Sequence, residues 1–157
     1  MVKRTRWVLL AYRLPHEPST PRIAVWRQLR HLGVGHVSDG VVALPLDART
    51  REQLEWLAET VIEHGGEATI WLAEPGTVAQ ERALARRMAD AVEADYARLI
   101  ERAGVAATAP VANRRRTLAQ LRRELGRIGA RDFFPSAVRD RARASVEGLA
   151  LTLEAAS

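Results

Sequence analysis

The apolar positions of this chain change period several times, and the changes mark out its elements. Residues 6–13 form a short apolar run stopped by Arg13-Leu14-Pro15, the pattern of a strand buried on both faces. Ser19 or Thr20 then suits a helix cap, with Pro21 in the first turn and an inward stripe of Ile23, Trp26, Leu29 and Leu32 ended by Gly33. In "VGHVSDGVVALP" two β-rich runs flank Asp39-Gly40, which predicts a hairpin closed by a type I′ turn. "LDARTREQLEWLAETVIEHGG" predicts a second helix with Leu54, Leu57, Val61 and Ile62 inward and Gly65 as its stop. "EATIWLAEP" alternates, with Ala68, Ile70 and Leu72 on one side and Thr69 and Trp71 on the other, and ends at Pro75.

The order over residues 6–74 is therefore β-α-β-β-α-β. That order predicts an α+β, ferredoxin-like domain over residues 1–76: a four-stranded antiparallel sheet with two helices on one face. The other face needs a cover, either residues 77–157 or a dimer partner.

Residues 77–157 follow helical spacing only. Ala85, Met88, Val92, Tyr96, Leu99 and Ala103 give one long one-faced helix. "GVAATAPVANRRR" predicts a small-residue linker and hinge. Leu118, Leu121, Leu125 and Ile128 line a shorter helix, and "ARDFFPS" breaks it with two phenylalanines that read as a hydrophobic plug. Val138, Ala142, Val146, Leu149 and Leu153 line a last helix. The prediction is a helical extension, packed on the domain or on a dimer partner.

Charge sharpens this picture. The net charge is +5, and all but one of the 24 basic residues are arginine. Residues 1–47 carry +4, residues 48–109 carry −4, and residues 110–157 carry +5. Such asymmetry suits an anionic partner or association between unlike faces. The chain has no cysteine, which removes disulfides, thiolate metal sites and thiol redox chemistry. The basic start is followed by too few apolar residues for a signal peptide or a membrane span, so a cytoplasmic protein without membrane contact is expected.

Catalytic motifs are not evident. No G-x-S-x-G elbow and no glycine-rich phosphate loop occurs, and His16, His31, His36 and His64 lack ligand spacing. Metal-dependent nucleases built on ferredoxin-like domains, such as those of CRISPR spacer acquisition, place an aspartate in a Tyr-Asp-x-Pro context at the end of the first strand. Here the run is Tyr12-Arg13-Leu14-Pro15. A guanidinium repels a cation and attracts an anion, so neither enzyme activity nor a cofactor or metal is expected.

Arginine placement points to two anion-binding surfaces instead. Arg13 at the strand end, with Arg22 and Arg27 on the following helix, predicts a site for a small oxyanion near a helix start. Arg114, Arg115, Arg116, Arg122 and Arg123, around an apolar helix stripe, predict sequence-weak contact with nucleic-acid phosphates.

The ordered block "WVLLAYRLPHEPSTPRIAVWRQLRHLGV", then "SDGVVALP" and later "ARDFF", resembles the N-terminal domain of ChrB, a bacterial chromate-resistance protein. In architecture it is also similar to the middle domain of PaaX-type repressors. The resemblance implies a regulatory or sensing role, with chromate-responsive control of a resistance operon through DNA. Longer ChrB proteins carry a second C-terminal domain, and PaaX-type repressors a winged helix at the front. Neither is recognised in these 157 residues. The expectation is thus a non-catalytic, oxyanion-sensing or DNA-binding homodimer. The alternative is a dimeric interaction module that serves another resistance protein, with a metal-dependent nuclease third.

Overall fold

The computed structural model describes residues 6–156. The elements run β1 (Trp7–Arg13), α1 (Thr20–Leu32), β2 (Gly35–Ser38), β3 (Val41–Pro45), α2 (Ala48–Glu63), β4 (Glu67–Ala73), α3 (Val78–Ala106), α4 (Val111–Ala130) and α5 (Ala137–Ala155). The chain divides into two compact units, Met1–Met88 and Ala89–Ser157.

The first unit is α+β. Its four strands form one sheet in the order β2-β3-β1-β4, with every neighbouring pair antiparallel. Val8 and Leu10 of β1 stand in register with Leu44 and Val42 of β3, and all four are buried. α2 packs on β1, β3 and β4, and α1 packs beside α2. Leu54, Leu57, Ala58 and Val61 are the buried apolar positions of α2, so Ala58 takes the inward place expected of Ile62, which faces solvent. The start of α2 is fixed by a reciprocal capping box. Thr50 N–H donates to Asp47 Oδ1 at 2.7 Å, and Asp47 N–H donates to Thr50 Oγ1 at 3.0 Å. The fully buried Thr50 hydroxyl also donates to the Pro45 carbonyl at 2.6 Å, tying the helix start to the end of β3.

Leu84 and Met88, in the first turns of α3, lie against Gly35 of β2. A Cβ on Gly35 would sit 2.6 Å from Leu84 Cδ1 and 2.8 Å from Met88 Sδ, so any side chain there would make these two side chains shift. Leu84, rather than Ala85, is the buried position there. Arg87 adds a hydrogen bond to the His36 carbonyl at 3.2 Å.

The turn between β2 and β3 departs from the type I′ expectation. Among the described residues no non-glycine has positive φ, so Gly40 (φ 75°) takes the left-handed conformation and Asp39 does not. The register skips Val37, and this bulge supplies twist that a mirror-image turn would otherwise provide.

The second unit is helical: the later turns of α3, then α4 and α5. Tyr96, Leu99, Leu121, Ile128, Ala142 and Leu149 are central to its core. Two polar links hold the α4–α5 connection against α3. Tyr96 donates to Asp132 Oδ2 at 3.0 Å, and Arg131 donates to Asp95 Oδ2 at 2.9 Å. Phe133 and Phe134 are half-buried in this connection. The expected linker is shorter than predicted, because Gly104, Val105 and Ala106 stay helical and α4 starts at Val111. Alanine-rich sequence favours helix, and the break is confined to residues 107–110, ending at Pro110, which has no N–H to continue the preceding helix.

Candidate anion-binding hollow

α1 does not bury the stripe that its spacing predicts. Val25 and Leu29 face inward, whereas Ile23 and Trp26 are 49% and 53% exposed. In the mixed sequence Ile23-Ala24-Val25-Trp26 two apolar faces compete, and the one containing Val25 meets the core. Ile23 and Trp26 are thereby turned towards the end of β1.

They form one wall of a hollow of about 590 Å³. Tyr12, Arg13 and Leu14 contribute from the end of β1 and beyond it, and His16 and Ser19 from the following loop. Arg22, Ile23 and Trp26 come from α1, and Asp39 and Gly40 from the hairpin turn. The turn is held against β1 by the Tyr12 N–H, which donates to the Gly40 carbonyl at 2.8 Å. A Cβ on Gly40 would lie 2.7 Å from the Tyr12 carbonyl oxygen, so both its φ and the close approach require glycine.

Arg13 and Arg22, grouped in the sequence as strand end and helix start, line one hollow. Arg27 is exposed on α1 and is not among the lining residues. Neither Arg13 nor Arg22 forms an ion pair among the described residues. Arg22 instead donates to Nδ1 of His16 at 2.9 Å. Burial pushes the Tyr12 hydroxyl above its ordinary pKa, and the Arg22 charge acts against that rise. Arg22 is therefore near enough for its field to be felt at Tyr12. Ser19 stands at the N-cap of α1 without a side-chain cap bond, and the first turn carries no acidic residue. Pro21 has no N–H, so the first-turn N–H groups left to water or to an anion are those of Thr20 and Arg22.

The second predicted surface lies on α4 and is divided by the structure. Arg114 is half-buried and donates to the Thr152 carbonyl at 3.3 Å, joining α4 to the end of α5. Arg115, Arg116, Arg122, Arg123 and Arg127 are exposed, with Arg116, Arg123 and Arg127 opposite the buried Leu118, Leu121 and Ile128 and Arg115 and Arg122 on the flank. Arg116 also borders a hollow of about 610 Å³ between the end of α3 and the start of α4. Glu124 is the sole acid of α4, and it pairs with Arg102 of α3. The outward face of α4 is consequently basic without an acidic residue among its positions.

Two further observations concern other chemistries. Among the described residues, no group of three or more His, Asp or Glu side chains could hold a metal ion. No helix among them is long and apolar enough to cross a membrane.

Sequence reasoning missed Trp26, Ile23 and Asp39 as parts of the site. The visible signal for Trp26 was an aromatic residue four positions after Arg22, which puts both on one helix face.

No curated protein and no solved structure matches the chain. One protein family does: "Protein ChrB, N-terminal" matches residues 22–108, more than half of the sequence, from the first turn of α1 to just beyond the end of α3. The chain belongs to the ChrB N-terminal family, which connects it with chromate resistance.

Proposed function

We propose that this protein is a non-catalytic regulatory domain of chromate resistance that binds an anion in the hollow between β1 and α1. The observation that carries this reading is the convergence of Arg13 and Arg22, without ion-pair partners among the described residues, beside the uncapped start of α1. Two forked guanidinium groups and free N–H donors suit tetrahedral oxyanions such as chromate. The fold is read as ferredoxin-like, which the strand order β2-β3-β1-β4 and the element order support. Isothermal titration of the protein with chromate and with sulfate tests the proposal. Binding that is lost in Arg13→Ala and Arg22→Ala supports it, and heat traces unchanged by either substitution contradict it.

A second surface extends this reading to DNA. The acid-free outward face of α4, with Arg115, Arg116, Arg122, Arg123 and Arg127, is suited to backbone phosphates. Such contacts give binding that weakens steeply with salt, as a cytoplasmic regulator held to its operator by non-specific charge would show. A homodimer would present two such faces. The competing reading is an interaction module for another resistance protein. It is favoured if neither anions nor DNA bind and a stable dimer is found by light scattering.

A further inference from the structure

The hollow offers more than a bare tetrahedral ion can use. Its volume of about 590 Å³ falls within the range of roughly 300–1,000 Å³ typical of sites for organic molecules. Leu14, Ile23 and Trp26 give it an apolar wall, and Ile23 and Trp26 are about half exposed. The Arg30 guanidinium stacks over the Trp26 ring, 5.4 Å from its centroid, which steadies the indole. Asp39 adds a carboxylate that forms no hydrogen bond or ion pair among the described residues. A carboxylate repels a small dianion, but it accepts strongly from a ligand's N–H groups.

We propose that the hollow takes a nucleotide. Its phosphate would be held by Arg13 and Arg22, its base would stack on the Trp26 side of the hollow, and its N–H donors would meet Asp39. Guanine fits best, because its N1–H and N2–H lie side by side and can pair with both carboxylate oxygens. The inference rests on the anion-site reading of the same two arginines and adds the aromatic body and the donor. The nucleotide can be free, or it can be an unstacked unit of a single strand, where base–aromatic stacking is the common device.

The test is isothermal titration of the full chain with guanosine 5′-monophosphate, guanosine, inorganic phosphate and a short guanine-containing single strand. The monophosphate is expected to bind at least tenfold more tightly than phosphate or guanosine. Trp26→Leu is expected to reduce its affinity to the level of phosphate while leaving phosphate binding unchanged. Trp26→Phe, which keeps an aromatic face, is expected to retain most of the affinity. Asp39→Asn is expected to weaken the monophosphate about tenfold without weakening phosphate. A strand that binds more tightly than the mononucleotide, still dependent on Trp26, identifies the nucleic acid as the source. Phosphate binding with no gain for the monophosphate overturns the nucleotide proposal and leaves the anion site standing. Absence of binding by both phosphate and the monophosphate overturns the two together.

Discussion

The guanidinium of Arg22 lies 2.9 Å from Nδ1 of His16, and a guanidinium can only donate. His16 therefore accepts at Nδ1 and carries its proton on Nε2. The loop after β1 and the first turn of α1 are joined by this bond, which limits the directions in which Arg22 can point. His16→Ala is expected to weaken anion binding about three- to tenfold through loss of orientation, with little change in melting temperature because both residues are exposed. His16→Asn, whose Oδ1 can replace Nδ1 as acceptor, is expected to recover part of the loss. Titration of the two variants with phosphate checks the pair.

Gly40 places the hairpin turn at the hollow. Its positive φ and its approach to the Tyr12 carbonyl both oppose a side chain. Gly40→Ala is expected to destabilise the first unit by about 1–3 kcal/mol. It should also reduce anion affinity, because Asp39 and the end of β1 would shift. Urea unfolding and titration of the same variant measure the two effects.

The arginines of α4 fall into two classes. Arg114 bonds to Thr152, and its buried Nε has no hydrogen-bond partner among the described residues; Arg114→Ala is expected to loosen the contact between α4 and α5 through loss of the Thr152 bond. A cost of about 1–3 kcal/mol is expected from the lost charged hydrogen bond and packing. Arg123→Ala should change stability by less than about 0.5 kcal/mol, as expected of an exposed site. On DNA the order reverses: Arg115→Ala, Arg122→Ala and Arg123→Ala together should flatten the salt dependence by roughly three contacts. Fluorescence anisotropy across a salt series, with denaturation curves beside it, separates the classes.

Tyr96 supplies a stability signal at alkaline pH. Burial first, and then its hydrogen bond to Asp132, push its hydroxyl from 10.0 up to about 12. The folded state holds the proton more tightly than the unfolded state does. This contribution is thus complete below pH 10 and is lost as pH rises towards about 12. Thermal melting between pH 9 and pH 12 (roughly, the window set by those two values) should show a decline that Tyr96→Phe makes shallower. The same variant should already be less stable at neutral pH, since Asp132 loses a donor.

Much of the architecture was legible because long-period patterns survive competition between neighbours. The six elements of the first unit follow from strand alternation, the capping region near Ser19 and Pro21, and the stops at Gly33 and Gly65. Details failed where two readings of one helix were nearly equal. Ile23 and Trp26 share helical spacing with Leu29, yet Val25 and Leu29 take the core, and the displaced pair becomes the wall of the hollow. Ile62 is exposed, and the smaller Ala58 is buried on α2 instead. Asp39-Gly40 was recognised as a turn, but a bulge at Val37 changed its type. Arg13 and Arg22 were legible as neighbours through chain connectivity. Asp39 was not, because only strand pairing carries the β2–β3 turn to the end of β1. The inward turn of Arg114 was equally hidden, since its acceptor lies 38 residues away on another helix.

Thermal melting at constant ionic strength, with and without chromate, is the most direct test of the hollow as an anion site. The wild-type chain and the Arg13→Ala/Arg22→Ala double variant would be compared. At a hundredfold excess over Kd, an anion that binds only the folded state adds about 2.7 kcal/mol. For a chain of this length that is a rise of roughly 5–10 °C. The expected result is such a rise for the wild type and none for the double variant. Equal rises in both proteins, or no rise in the wild type at any chromate concentration, would contradict the account.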